Sequence, residues 1–216
     1  MGLKYAIGSR ISGALDALMS SPIFPLTRYF PRGYNWMYDV QRFAGTRRSD
    51  IIFDVGANTG QTTRGLIQYF PNAHIYCFEP VASTFAKLRK NYWQNARIHP
   101  VQQALGNQFE QISIELHNDS ELNTLVANSP RLEDLSGETE AVQVITIDQF
   151  CRDAKLSHID VLKMDVQGWE VKVLSGASTL LSQNKVRFVL SEVACVGSKV
   201  PPHARRAELV RYRPPD

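Results

Sequence analysis

Residues 51–60, IIFDVGANTG, join an apolar run to a loop of small residues and decide the fold. The run is almost continuously hydrophobic, which is typical of a parallel strand covered on both faces. Gly56 and Gly60 have no Cβ, so the backbone can bend sharply or approach a ligand closely at these positions. Asn58 or Thr59 is expected to cap the helix that follows. The stretch therefore predicts the first half of a βαβ unit.

Carboxylates stand at the ends of three apolar runs. Asp54 ends the first run, Glu79 ends HIYCFEP, and Asp165 ends the apolar part of IDVLKMDVQGWE. Ligands of open α/β sheets bind beyond the carboxyl ends of the strands, so these acids are expected to face one crevice. Glu79 follows Gly60 by nineteen residues, close to the spacing at which nucleotide-binding folds place an acid for ribose hydroxyls. A solvated acid before a proline turn is the alternative for Glu79.

The glycine spacing separates two classes of nucleotide ligand. Gly56 and Gly60 form G-x-x-x-G, whereas a pyrophosphate-binding loop usually has G-x-G-x-x-G. Asn58 stands where the second glycine should be. Pyrophosphate needs bare backbone amides at a helix N-terminus, whereas S-adenosylmethionine carries no phosphate and presents an ammonium, a carboxylate and a sulfonium. The pattern favours S-adenosylmethionine, and a dinucleotide-dependent oxidoreductase is the weaker alternative.

Lys163 lies within an otherwise apolar strand. A buried ammonium is costly unless it is paired, and Asp165 or Glu170 is the expected partner. A purely structural lysine–carboxylate pair at the strand end is the alternative to a catalytic role.

Four segments together carry a resemblance to a known family. FDVGANTG, the FEP turn, ITIDQF at residues 145–150 and DVLKMDVQGWEVKVLSGA resemble the FkbM family of S-adenosylmethionine-dependent methyltransferases, over roughly residues 51–192. The resemblance implies an α/β, Rossmann-like class I methyltransferase, a three-layer sandwich around a mostly parallel sheet. It further implies an O-methyltransferase that acts on a hydroxyl of a sugar or a hydroxylated natural product by in-line displacement.

The resemblance also implies roles for individual residues. It assigns the methionine end of the cofactor to Asp54, Gly56, Asn58 and Gly60, the ribose to Glu79, and the adenine to the stretch that contains Gln103 and Ala104. Asp165 is expected to lie beside the transferring methyl, in contact with the cofactor, and to receive the hydroxyl proton.

The acceptor side is predicted from the same motif. Asp165, Gln167 and Glu170 match the family's acceptor-side turn, in which position 167 is commonly Glu. Lys163 and Glu170 complete the predicted catalytic group, and Glu192 and Asn123 are expected to contact the acceptor. A divalent metal held by Asp165, Glu192 and Asp119 would be another way to lower the hydroxyl pKa. The chain has no H-x-x-x-H or paired-cysteine spacing, so no metal site is predicted.

Composition indicates one domain with distinct ends. At 216 residues and 44% hydrophobic content, the chain can bury a sizeable core alone. We expect a helical cap over residues 1–49, a cofactor-binding core over 50–195 and a basic, proline-rich tail without regular structure over 196–216. The family pattern would place two more strands in that tail, so these strands are predicted to be missing. A second copy of the chain would then cover the open sheet edge, and an inactive or truncated homologue that only binds the cofactor is the main alternative.

The charges are unevenly distributed. Residues 1–50 carry seven basic and three acidic side chains, residues 51–195 twelve and sixteen, and residues 196–216 five and two. An acidic core suits a sulfonium cofactor and argues against nucleic acid, which requires a basic stripe. Three cysteines without metal or redox spacing and no evident signal peptide favour the cytoplasm. Asp16 interrupts the N-terminal apolar stretch, so no transmembrane segment is predicted.

Overall fold

The structure is a computed structural model that describes residues 35–116, 124–126, 139–192 and 207–210. Its helices are α1 (Trp36–Ala44), α2 (Gln61–Tyr69), α3 (Ala82–Tyr92), α4 (Ile147–Asp153), α5 (Glu170–Ser175) and α6 (Ser178–Ser182). Its strands are β1 (Ile51–Val55), β2 (His74–Phe78), β3 (Ile98–Val101), β4 (Ala104–Leu105), β5 (Glu110–Glu115), β6 (Thr124–Val126), β7 (Thr139–Ile145), β8 (Ile159–Met164), β9 (Val186–Glu192) and β10 (Ala207–Val210). No helix in these ranges is long and apolar enough to cross a bilayer.

The central sheet positions the candidate site. Its six strands follow the order β10-β9-β8-β1-β2-β3, and all neighbours are parallel except β10, which runs antiparallel to β9. The carboxyl ends of β2, β1 and β8 therefore lie side by side. The register places Asp54 opposite Cys77 on one side and Lys163 on the other. The prediction of an α/β, Rossmann-like fold with a mostly parallel sheet is confirmed.

Alternating side chains of the central strands build a core on each face of the sheet. Ile52 belongs to the same buried cluster as Leu66 of α2 and Leu88 of α3. Its neighbour Phe53 belongs to the opposite cluster, which includes Val173 of α5. Each fully buried side chain of this size contributes about 1.5–3 kcal/mol relative to an exposed one. The two cores make the three layers of the sandwich.

A second sheet of four strands has the order β4-β7-β5-β6. β4 is parallel to β7, whereas β5 is antiparallel to both β7 and β6. In β5, Ile112 and Ile114 are buried.

Helix α1 is hydrogen-bonded to the central sheet at its C-terminal end. The Asn35 side chain accepts hydrogen bonds from the backbone N–H groups of Met37 and Tyr38 at 3.1 and 3.2 Å, which caps the helix. Arg187 of β9 donates to the carbonyl of Ala44 at 3.0 Å, at the end of the helix. Of the helical cap predicted over residues 1–49, α1 is present, while residues 1–34 lie outside the described residues.

The C-terminal segment differs from the prediction. Residues 196–216 are expected to lack regular structure, but Ala207–Val210 forms β10 and pairs with β9, with Ala207 opposite Glu192 and Val210 opposite Val189. This strand of four residues depends on its partner for backbone hydrogen bonds, a context that local sequence does not reveal. One of the two strands predicted to be missing is therefore present. Self-association stays a prediction. It has less support than before, because β10 covers the edge of β9 that was expected to be open.

Candidate functional site

The loop after β1 is fixed by backbone contacts on both sides. The N–H groups of Gly56 and Ala57 both donate to the carbonyl of Phe78 at 3.0 Å, at the end of β2. Gly56 has φ of +74°, and a Cβ there would overlap the carbonyl oxygen of Asp165. Asp165 in turn donates its N–H to the carbonyl of Val55 at 3.0 Å. The loops after β1 and β8 therefore pack backbone against backbone, and only glycine fits at position 56.

Two residues of α3 contact the start of α2. Gly60 has φ of +95° and begins the helix without a side-chain cap, so the predicted capping by Asn58 or Thr59 is wrong. A Cβ on Gly60 would overlap the ring of Tyr92, whose hydroxyl donates to the Gly60 carbonyl at 2.7 Å. Asn91 donates to the carbonyl of Thr59 at 3.0 Å. Sequence reasoning missed both α3 residues, because nothing local connects them to the loop.

Glu79 lies at the tip of β2 and is 7% exposed. One carboxylate oxygen accepts the N–H of Asn58 at 3.0 Å, and the other accepts the N–H of Val81 at 3.0 Å. Asn58 has φ of 50° and thus directs its amide at Glu79. Burial, reinforced by the nearby charge of Glu140, raises the pKa of Glu79 to about 7. A carboxylate has about four lone-pair sites, so Glu79 keeps acceptor capacity for a ligand.

Asp54 is fully buried inside the site, where it contacts Thr63 and Lys163. One of its oxygens accepts the hydroxyl of Thr63 at 2.8 Å, and the other lies 3.0 Å from the Nζ of Lys163. With 0% exposure, its carboxylate supports the loop from inside the site. The contact between Asp54 and the cofactor stays a prediction. Thr63, which no sequence signal identifies, shares the supporting role.

Lys163 links the two loops. Besides Asp54, its Nζ lies 3.9 Å from a carboxylate oxygen of Asp165 and donates to the carbonyl of Gly56 at 3.3 Å. Burial alone would lower the pKa of Lys163, but the carboxylates of Asp54 and Asp165 outweigh it and raise the pKa above its usual value. The expected partnership with Asp165 is present at the longer distance. The closer partner, Asp54, was not among the predicted ones.

The turn after β8 exposes the predicted base. The Asp165 side chain is 37% exposed and accepts a hydrogen bond from the amide nitrogen of Gln167 at 3.1 Å. Gln167 and Gly168 both adopt positive φ, at 51° and 97°, so the chain turns sharply just after the carboxylate. Asp165 is thus the part of the Asp54–Lys163–Asp165 chain that solvent or a ligand can reach.

Glu170 closes the same turn. Its carboxylate accepts the N–H of Val166 at 3.3 Å, and it is the first residue of α5. Trp169 before it is 6% exposed, with the Nζ of Lys172 lying 3.5 Å from the centre of its ring. The hydrogen bond from Val166 gives Glu170 a structural role in addition to the predicted catalytic one.

The other predicted residues lie farther from this arrangement or beyond the described ranges. Gln103 donates to the side chain of Gln143 at 2.9 Å, and Ala104 is buried at the start of β4. Glu192 ends β9, and of this residue only the backbone is described. Asn123 and Asp119 lie outside the described residues. Within those residues no cluster of three His, Cys, Asp or Glu side chains could hold a metal ion.

The geometry offers two chemically distinct carboxylates beside one glycine loop. Glu79 is buried, with its two oxygens oriented by backbone amides, and can accept hydrogen bonds from a diol. Asp165 is partly exposed and can accept a proton from a bound hydroxyl. The buried Asp54–Lys163 pair fixes the loop between them.

Comparison with known proteins places this geometry in a family. Residues 54–202 match the profile described as Methyltransferase FkbM domain. The 2-O-methyltransferase NoeI of Sinorhizobium fredii is 28% identical, over 66% of this chain and 62% of its own length. The hexuronic acid methyltransferase AglP of Haloferax volcanii is 28% identical, over 67% of this chain and 56% of its own length.

A third relative and a solved structure are also similar to this chain. Methyltransferase 1 of Beauveria bassiana is 26% identical, over 64% of this chain and 61% of its own length. The chain therefore spans about 60% of the length of the curated relatives it matches. The S-adenosylhomocysteine-bound methyltransferase PaMTH1 of Podospora anserina aligns with a TM-score of 0.37 at 15% identity, over 88% of this chain and 70% of its own length.

Proposed function

This chain belongs to the FkbM methyltransferase family, and on that premise we propose that it transfers the methyl group of S-adenosylmethionine to a hydroxyl of a sugar or another hydroxylated small molecule. The match over residues 54–202 carries the proposal. The printed names of two relatives, a 2-O-methyltransferase and a hexuronic acid methyltransferase, support a sugar hydroxyl as the acceptor.

The residues at the strand tips suit the proposed cofactor. Glu79 would accept hydrogen bonds from the two ribose hydroxyls through the lone pairs that Asn58 and Val81 do not use. The loop at Gly56 and Asn58 would border the methionine part, and the stretch at Gln103 and Ala104 the adenine. A buried carboxylate whose oxygens already point at backbone donors is preorganised, so little side-chain entropy is lost when a diol binds.

The proposed methyl transfer is an in-line displacement. The cofactor supplies a methyl group activated by a sulfonium, so that a carbon–oxygen bond forms as the carbon–sulfur bond breaks. Asp165 accepts the proton of the acceptor hydroxyl through the oxygens that face solvent. Lys163 and Gln167 position that carboxylate, and Glu170 holds the turn that carries it. Alignment of hydroxyl and methyl accounts for much of the acceleration expected of such a site.

The first test is binding. We expect S-adenosylmethionine, and not NADH, to bind the full chain in calorimetric titrations. At pH 8, above the Glu79 pKa of about 7, Glu79→Gln keeps the shape of the side chain but removes the charge that the ribose hydroxyls would contact, so it should weaken cofactor binding at least about tenfold. Glu110→Gln, outside the site, is the matched control and should bind as the wild type does.

The second test is turnover. Sugars and uronic acids would be incubated with S-adenosylmethionine labelled on its methyl group. Asp165→Asn should lower kcat by about 10²-fold or more, the contribution typical of a general base, while the dissociation constant of the cofactor changes little. Binding without turnover on any hydroxylated acceptor would favour the inactive homologue, and NADH binding without S-adenosylmethionine binding would overturn the proposal.

A further inference from the structure

Helix α3 has an exposed face that neither the core nor the candidate site uses. The helix buries Thr84 and Leu88 against the sheet. Residues spaced by three or four positions share a helix face, and four exposed residues follow that spacing on the outer side: Ala82, Ala86, Arg89 and Trp93. The two alanines leave a depression, and the two larger side chains stand at its end.

Trp93 separates two shallow hollows. The indole side chain is 73% exposed, so its flat face is accessible to a ligand. One hollow, of about 540 Å³, is bordered by Phe85, Arg89, Lys90 and Gln102. The other, of about 440 Å³, is lined by amide and basic side chains from Asn91, Gln94, Asn95 and Arg97. We call the two hollows and Trp93 the α3 groove.

The groove is positively charged within an acidic domain. Residues 80–109 contain Lys87, Arg89, Lys90 and Arg97 and no acidic residue, whereas residues 51–195 have four more acidic than basic side chains. Glu140 borders the first hollow at Ala82, the first residue of α3, whose N–H it accepts at 2.9 Å. At 1.5 Å per residue, that end of the helix lies about 16 Å from Trp93. The charge around the indole therefore attracts anions.

We propose that the α3 groove binds an acidic oligosaccharide. One sugar ring packs against the face of Trp93, since an exposed indole offers a flat apolar surface beside polar groups. Arg89 pairs with a uronate carboxylate, for which the planar guanidinium is well shaped, and Lys90 adds a second positive charge. The amide of Gln102, which can donate and accept, bonds sugar hydroxyls.

The ligand class rests on the proposed function, because the oligosaccharide would be the part of an acceptor glycan that extends beyond the methylated sugar. Two other classes of partner fit less well. A membrane-binding helix presents a continuous apolar face, whereas amide-lined hollows flank Trp93. A single-stranded nucleic acid needs several aromatic platforms along a basic track, whereas the groove offers one exposed aromatic ring.

The test is a titration of the full chain with a hexamer of galacturonate, with maltohexaose as the neutral oligosaccharide of equal length. We expect the acidic hexamer to bind, at least about tenfold more tightly than the neutral one at low ionic strength, and to weaken as salt is added. Trp93→Ala and Arg89→Ala should each weaken binding about tenfold. Two variants outside the groove, Phe109→Ala with an equally exposed ring and Arg152→Ala, should bind within about twofold of the wild type.

Several outcomes would overturn the inference. They are equal binding of the neutral hexamer, unchanged binding by Trp93→Ala, no binding of either hexamer by the folded chain, or tighter binding of a thymidine decamer or of phosphatidylglycerol vesicles. Titration of the same samples with S-adenosylmethionine separates this inference from the proposed function. If the cofactor binds and the acidic hexamer does not, only the groove proposal fails.

Discussion

Replacement of Lys163 by methionine isolates the contribution of the buried ion pair. The change keeps an unbranched side chain of similar length but leaves the carboxylate of Asp54, which is 0% exposed, without the cation that lies 3.0 Å away. Removing one partner of a buried pair typically costs about 3–5 kcal/mol, because the other charge stays buried without compensation. The hydrogen bond to the Gly56 carbonyl is lost as well.

Urea unfolding at neutral pH measures this cost. A loss of about 3–5 kcal/mol is a large part of the 5–15 kcal/mol that stabilises a typical domain, so the midpoint should fall clearly while the m-value stays constant. Lys185→Met, on an exposed residue, is the matched control and should change the free energy of unfolding by about 0.5 kcal/mol or less.

A double-mutant cycle tests whether the effect belongs to the pair. Asp54→Asn retains an oxygen for Thr63 and removes the charge, so the double variant should be more stable than Lys163→Met alone by about 1–3 kcal/mol. A cost below about 1 kcal/mol for Lys163→Met, or strictly additive effects in the cycle, would refute the reasoning.

Three further predictions concern the same strand tips. Gly56→Ala should cost about 3 kcal/mol or more because a Cβ meets backbone, whereas Gly45→Ala, also at positive φ but in open space, should cost about 1–2 kcal/mol in thermal unfolding. Glu79 has a folded pKa of about 7, above its unfolded value, so the folded state binds the extra proton. Stability should therefore fall by about 3 kcal/mol as pH rises from 4.5 to 7, and Glu79→Gln should abolish this dependence in urea titrations. Thr63→Val should cost about 1–3 kcal/mol in the same assay, since it removes a donor from a buried carboxylate, with Thr62→Val as the nearly neutral control.

Local patterns were sufficient for strands β1, β2 and β8 and for the positions of Glu79 and Asp165 at strand ends. The apolar run that ends at Asp54 and the one that ends at Glu79 are short, bounded by turn residues and covered on both faces, so their type follows from composition. The position of Asp165 at a strand end follows in the same way. These features depend on neighbours in sequence, and the parallel sheet then brings the strand ends together.

Local sequence patterns did not predict the contacts between remote segments. The Asp54–Lys163 pair depends on the register between β1 and β8, which no local pattern encodes. Tyr92 reaches Gly60 only because α3 packs beside α2. β10 was missed because four residues among prolines and arginines acquire strand structure only by pairing with β9. In each case tertiary contact outweighed local propensity.

The absence of a side chain at Gly56 has a consequence for how this protein could acquire a new specificity. Because the loop after β1 touches the Asp165 carbonyl directly, the half of the crevice proposed for the cofactor and the half proposed for the acceptor share one wall. A change that moves the turn at residues 165–168 by even a fraction of an ångström would be transmitted to the methyl donor. New acceptors are therefore more readily accommodated by changes in surface segments away from this wall, while the turn itself stays fixed.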